Sequence, residues 1–364
     1  MAEKNKKKIT RKKNDASSTV DVGVILRKKW WITSLVILFV LGGIILLYIF
    51  LPAVANKSET SAVIKIPYNA TNEMVRDSVA KYLGDKYASA LVSVSKLRKG
   101  DFSKRHGAYM IDSGMTPWNA ERVLKQGAQH PMIVVINGSK GLDKMSEKVA
   151  QKLDFTADSL INQLKDSTFL AEYGLKPEQA LALFIDDSYQ VYWNSSPQAF
   201  SKKMGQHYKK VWNEERIEKA KKLGLTPAEV VTLASIVDEE TNKMDEKPLV
   251  ARLYLNRLDQ NMKLQADPTV KFALGDFGLR RIRNEHLQVE SPYNTYKVTG
   301  LPPGPIRTVT VKDIDAVLDA PQHPYIYMCA KDDFSGYHSF ATDYGTHMQN
   351  ARRYQKALNQ RKIF

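Results

Sequence analysis

Glu240 is a carboxylate standing where a helix would be apolar. The run Thr226-Pro-Ala-Glu-Val-Val-Thr-Leu-Ala-Ser-Ile-Val-Asp-Glu-Glu240-Thr opens with helix signals. Thr226 can serve as N-cap, Pro227 takes the first helical position and Glu229 the third, which is the pattern of a capping box. Three, four and seven residues before Glu240 stand Val237, Ile236 and Leu233, spacings that share one helix face. Asp238 looks instead toward Ala234 and Ser235, and Glu239 toward Ser235 and Ile236, so Glu240 has the most apolar surroundings of the three acids. A carboxyl so placed is desolvated, its pKa rises, and it can donate a proton near neutrality. The competing reading is a helix end with three solvated acids, and on the pattern alone that is the commoner case.

The segments that must position such a group follow in order. Pro248 starts a second helical stripe through Leu249, Leu253 and Asn256, with Arg257 next; an Asn aligned with leucines is half-buried and hydrogen-bonded, fit to position a loop. Then come Leu264-Gln265-Ala266-Asp267-Pro268-Thr269-Val270, Ser291-Pro-Tyr-Asn-Thr-Tyr296 and Gly300-Leu-Pro-Pro-Gly-Pro-Ile306, the last a loop with little freedom. Stiff loops rich in Asn, Thr, Tyr and Asp suit a sugar-binding cleft, and equally suit any ordered turn. Gln265, Asp267, Asn294, Thr295 and Tyr296 are the candidate cleft contacts. His338 and His347 read as satisfied structural histidines. Cys329 is the single cysteine, so no intrachain disulfide can form; its run Tyr325-Ile-Tyr-Met-Cys-Ala330 reads as a strand with a buried core thiol. One cysteine and seven scattered histidines give no metal-ligand spacing.

The 364 residues suffice for a membrane segment and two folded domains. Trp30 to Leu51 is uncharged and almost wholly apolar, about the ~20 residues a helix needs to cross a bilayer, with Trp30 and Trp31 at one end and Tyr48 near the other. Before it stand ten basic residues (Lys4, Lys6, Lys7, Lys8, Arg11, Lys12, Lys13, Arg27, Lys28, Lys29) against Glu3, Asp15 and Asp21, a balance of +7. Positive flanks stay in the cytoplasm, so the C-terminal part is expected outside it, on a single-pass membrane anchor. The same basic run could suit a nucleic-acid arm, but beside a membrane helix no nucleic acid is expected. Ala53-Val54-Ala55 resembles a signal-peptidase site; the apolar run exceeds the ~7–15 residues of a signal-peptide core, which favours an uncleaved anchor. Of the net +15, +8 remains on the rest of the chain, suiting an anionic polymer or the membrane surface as neighbour.

Between Ser61 and about Lys165 one short plan repeats. Ala62-Val-Ile-Lys-Ile66 leads into Thr71–Leu83, and Met132-Ile-Val-Val-Ile136 into Leu142–Leu153, each with Val-Ala three residues before a Leu. Gly107–Trp118 again shows strand, turn and helix start, with Thr116 as cap and Pro117 in the first turn. Such units resemble LysM modules, which bind N-acetylglucosamine-rich glycans; an ordinary ligand-free domain is the alternative. The expected organisation is a basic tail (1–29), a transmembrane helix (30–51), a linker (52–60), a LysM-like α+β domain (61–165) and a mixed α+β catalytic domain (166–364). Strand–helix alternation without a long βαβ series gives the α+β class.

Taken in order, Leu233-Ala-Ser-Ile-Val-Asp-Glu-Glu-Thr241, Asn256-Arg257-Leu258, Leu264–Val270, Tyr293-Asn-Thr-Tyr296, Gly300–Ile306 and Tyr337-His-Ser-Phe340 resemble the endolytic murein transglycosylase (YceG-like) family. The family helix reads Ala-Ser-Ile-Val, Glu, a variable residue and the catalytic Glu; here these three are Asp238, Glu239 and Glu240, so the departure falls on the first. A family run Phe-x-Pro-Asp-Thr-Tyr appears as Phe184-Ile-Asp-Asp-Ser-Tyr189, a second departure. The resemblance implies cleavage of peptidoglycan between N-acetylmuramic acid and N-acetylglucosamine, leaving 1,6-anhydro ends, with Glu240 as acid and then base, no cofactor, and partnership with peptidoglycan synthases that makes it a terminator of glycan elongation. A lysozyme-like hydrolase using Asp267 as second carboxyl, and a wall-binding scaffold without chemistry, remain as alternatives. An unpartnered buried acid costs stability without a use, which counts against the scaffold.

Overall fold

The computed structural model describes residues 22–50, 61–279 and 281–361, with side chains in the first helix from 30 to 47. The basic tail up to residue 21, the ring of Tyr48 and the Ala53–Ala55 segment lie outside the described residues. Helix α1 (Val22–Phe50) contains Trp30–Leu47, long and apolar enough to cross a membrane: 18 residues at about 1.5 Å each reach about 27 Å. Its large apolar side chains are exposed along that window.

The chain divides into two units. The smaller takes residues 1–64, 70–102 and 111–127, and the larger takes 65–69, 103–110 and 128–364. Strand β1 (Ala62–Ile66), α2 (Asn72–Leu83), α3 (Asp85–Leu97), β2 (Gly107–Ile111) and α4 (Pro117–Gln126) come first, β1 pairing with β2. Thr71 and Thr116 cap α2 and α4 through their hydroxyls, as their spacing predicts. Val75, Val79, Leu83, Ala88, Leu91 and Val94 form a small buried core, spaced three or four apart along two amphipathic helices.

The larger unit continues with β3 (Pro131–Ile136), α5 (Gly141–Ala150), α6 (Ala157–Leu164), α7 (Ser167–Ala171), β4 (Asp187–Tyr192), α8 (Pro197–Val211) and α9 (Glu214–Lys222). After these come α10 (Pro227–Glu240), α11 (Lys247–Asp259), α12 (Asp267–Leu274), α13 (Val311–Leu318), β5 (Tyr327–Ala330), β6 (His338–Ala341) and α14 (Tyr344–Gln360). β3 and β4 are antiparallel, from Pro131 opposite Tyr192 to Ile136 opposite Asp187. The domain boundary expected near 165 therefore falls inside the larger unit. The strand–helix run 132–153 does form, but β3 finds its partner more than fifty residues downstream, and Val134, Ile136, Met145 and Val149 join the core that also holds α10.

Helix α10 begins as the sequence predicts. Glu229 N–H donates to Thr226 Oγ1, and the Glu229 carboxylate accepts from Thr226 N–H at 2.8 Å, closing the capping box. In its middle the helix is more than amphipathic: every residue from Val230 to Val237 is buried, because α9, α11, α12, α13 and the turn at Pro177–Leu183 surround it. Ser235 makes this tolerable, donating to Thr232 O at 2.7 Å and accepting from Ile306 N at 3.0 Å. That second bond pins the proline-rich loop to the back of α10. Gly304 is needed there, since a Cβ would come within 2.0 Å of Glu178 O.

Candidate active site

The three acids ending α10 part company. Asp238 is held by Lys247 Nζ and by Arg307 Nη1 at 2.9 Å. Glu239 accepts from Arg307 Nη1 at 2.6 Å and Lys140 Nζ at 2.7 Å. Lys247 also reaches Asp313 at 2.5 Å, and both are buried. Arg307 can approach because residue 138 is a glycine: a Cβ there would meet its Nη2 at 2.0 Å. Neither acid is solvated; both are tied into a cation network.

Glu240 makes no ion pair among the described residues, and Lys271 acts on it only through the field of its charge. Its Oε1 accepts a 2.8 Å hydrogen bond from the phenol of Tyr254, a buried residue on α11. Burial raises the Glu240 pKa from 4.5 to about 7; the Tyr254 bond works the other way, and the charge of Asp267 adds to the rise. The Tyr254 phenol is pushed up as well, by burial and then by Glu240, so it stays a donor at any ordinary pH. The surroundings inferred from helix spacing are therefore present, with Leu233, Ile236 and Val237 all buried behind the carboxyl.

Glu240 opens on a cleft of about 380 Å³. Gln265, Asp267 and Tyr296 line it too. Asp267, the first residue of α12, accepts from the Tyr296 phenol at 2.7 Å, and burial first and this bond second raise the Tyr296 pKa. The cleft thus holds two carboxylates, each with a tyrosine donor. Gln265 takes a left-handed backbone, φ 54°, of order 1 kcal/mol uphill for a non-glycine residue. Its N–H donates to Thr295 O at 3.1 Å and its Oε1 accepts from Arg257 Nη1 at 3.2 Å, which hold the turn.

Asn294 and Thr295 require correction, because both are completely buried and neither lines the cleft. Asn294 Nδ2 donates to Leu287 O and Val289 O, both at 2.9 Å. Thr295 Oγ1 accepts from Ala266 N at 3.0 Å and pairs with Thr269 Oγ1 at 2.8 Å. They build the wall that presents Gln265, Asp267 and Tyr296. Asn256 acts as its leucine company predicts, donating to His323 O and Tyr325 O and so fixing the entry to β5.

Several lining residues escaped the sequence reading. Arg257 is buried, donates to Lys263 O, Leu264 O and Ile326 O, and lies 5.5 Å from the Tyr327 ring. Tyr327, Met328, Cys329 and Ala330 of β5 form one wall, with His338, Tyr344 and His347 nearby. Cys329 is half-buried in that wall rather than in the core, and burial raises its thiol pKa. The strand had been legible; that its side chains turn toward Glu240 was not, since β5 lies nearly ninety residues on. Among the described residues no group of His, Cys, Asp and Glu is arranged to hold a metal ion.

The chain is 37% identical over 113 residues to the endolytic murein transglycosylase of Bacillus subtilis (strain 168), covering 31% of each protein. It is 26% identical over 253 residues to that of Streptococcus pneumoniae serotype 2 (strain D39), covering 62% of this chain and 46% of the relative. The chain thus matches less than half the length of these relatives. A crystal structure of a yceG-like protein from Listeria monocytogenes superposes with a TM-score of 0.54 at 23% identity, over 80% of this chain and 99% of the other, and shares the fold. The YceG-like family model matches residues 64–353, and the chain belongs to that family.

Proposed function

We propose that the protein is an endolytic lytic transglycosylase acting on peptidoglycan glycan strands, with Glu240 as its single acid and base. One observation carries the proposal: of three consecutive acids, Glu240 alone makes no ion pair among the described residues, and its pKa is raised to about 7. Tyr254 occupies Oε1 as a donor, so the acid proton rides on Oε2. Glu240 delivers that proton to the glycosidic oxygen as the bond from C1 of the muramoyl sugar breaks. The carboxylate then takes the proton of the C6 hydroxyl while O6 bonds to C1. Glu240 ends as it began, and no water enters. Asp267, held by Tyr296, faces the same cleft and suits the positive charge that develops at C1.

Asp267 also sustains a second reading. A hydrolase needs two carboxyls at defined separation, one of them for water or the glycosyl intermediate. Product mass decides between the two. Purified strands incubated with residues 53–364 should yield ends one water lighter than ordinary reducing ends, and Glu240→Gln should lower the rate roughly a hundred- to ten-thousand-fold while the protein stays folded. Ordinary reducing ends would mean hydrolysis, and an active Glu240→Gln would refute the mechanism.

The proposal extends to the rest of the chain. α1 serves as a single-pass anchor in the inner membrane, with the basic tail cytoplasmic and the cleft outside. The strand–helix–helix–strand run 62–111 supports a LysM-like reading of that segment, a hold on the glycan. An anchored cutter meets strands as they leave the synthases that polymerise them, which we include as proposed partners.

A further inference from the structure

His347 sits in the first turn of α14, with its side chain in the lining of the Glu240 cleft. The imidazole lies over Tyr327, ring centroids 5.2 Å apart and planes 21° from parallel, with the Tyr344 ring 6.2 Å away. Its two nitrogens differ. Nδ1 is buried and has no partner, whereas Nε2 is neither orphaned in the interior nor hydrogen-bonded among the described residues. His338, also in the lining, is quite different: its Nδ1 and backbone N–H both meet the buried Glu246, at 2.9 and 2.7 Å.

A buried N–H without an acceptor is rarer than a buried bare acceptor, so the ring proton belongs on Nε2. A second proton would have to enter the buried, unpartnered side. Burial, and then the charge of Arg257, hold the pKa of the ring below its ordinary value, so His347 is neutral at neutral pH. The result is an uncharged N–H donor on a ring that lines the cleft. The phenols of Tyr254 and Tyr296 are already engaged with carboxylates. Each sugar of the proposed strand carries an acetamido carbonyl, a strong neutral acceptor. Tyr344, 62% exposed beside the histidine, offers an apolar face for the adjoining methyl group.

We propose that His347 contacts substrate directly, donating a hydrogen bond from Nε2 to the N-acetyl carbonyl oxygen of a sugar seated in the cleft. This deepens the glycan-strand reading and rests on it. The test uses the full chain carrying Glu240→Gln, which leaves strands uncut, and measures its affinity for peptide-free strands and for the same strands N-deacetylated. Adding His347→Leu should weaken binding to N-acetylated strands about three- to tenfold and leave binding to deacetylated strands unchanged. His347→Gln places an amide nitrogen near the position of Nε2 and should restore the preference. Thermal melting of each variant checks that the fold persists. If His347→Leu leaves the preference intact, weakens both strands equally, or is not rescued by Gln, the inference is overturned alone. If the parent binds neither strand, the glycan reading falls with it.

Discussion

Asp238 and Glu239 on one side, and Glu240 on the other, end the same helix in opposite electrostatic surroundings. The first two lie among Lys140, Lys247 and Arg307, with Asp313 sharing the lysine. The third faces a cleft in which the polar partners of the carboxylates are phenols. A cation offsets a carboxylate's charge. A phenol gives it a hydrogen bond and leaves the charge in place, so burial still drives the pKa upward. The contrast separates holding a helix end in position from preparing it for proton transfer. The network fixes where α10 stops, and the last residue it delivers is the one left outside the network.

The largest effect should come from breaking the network. Lys247 is buried against Asp238 and Asp313, and Lys247→Met leaves the buried Asp313 and the half-buried Asp238 short of their shared cation. Loss of one partner of a buried pair costs about 3–5 kcal/mol, so chemical denaturation should show a drop of that size at neutral pH. A loss below about 1 kcal/mol would place the network with surface ion pairs and remove half of the contrast.

Next in size is an effect of opposite sign at Glu240. With a folded-state pKa of about 7 against 4.5 for the free group, the folded protein keeps a proton that the unfolded chain releases between those values. Stability contributed by this group is present below about pH 4.5 and lost as pH rises to about 7. At roughly 1.4 kcal/mol per unit the loss is at most about 3 kcal/mol, since Glu240 retains partial exposure. Glu240→Gln does not titrate, so its stability relative to the parent should rise by up to that amount between pH 4 and pH 8. Parallel stability curves would show that Glu240 is not desolvated.

What could be read in the sequence follows how local each feature is. The capping box at Thr226 and the apolar face behind Glu240 depend on residues at most seven apart, and both are present. The Asn256 position was legible for the same reason. Tyr254, fourteen residues from Glu240, lay within the segment that was read yet carried no sign of which acid it would meet, since that depends on how α11 crosses α10. Arg307 and β5 are farther still. Asn294 and Thr295 misled because composition marks a polar loop without saying which polar groups turn inward to satisfy the backbone. The boundary expected at 165 lies inside the larger unit, and β3 reads as a local repeat until β4 is paired with it.

The smallest effect probes the phenol. Tyr254 supplies the one bond that favours ionised Glu240, so Tyr254→Phe should move the carboxyl pKa further above 7. On the proposed mechanism, activity requires the protonated acid and falls as pH passes that pKa. The alkaline limb of kcat/KM should therefore shift upward by up to about one unit, as expected for a hydrogen bond to a charged group of roughly 1.5 kcal/mol. kcat should also fall, because Oε1 is no longer distinguished from Oε2 and the proton is less often on the oxygen that faces substrate. A downward shift would mean that Tyr254 stabilises the protonated form, and the distinction between cation-held and phenol-held acids would need another basis. An unmoved limb with lower kcat would assign Tyr254 to orientation alone and leave burial and the neighbouring charges to set the Glu240 pKa.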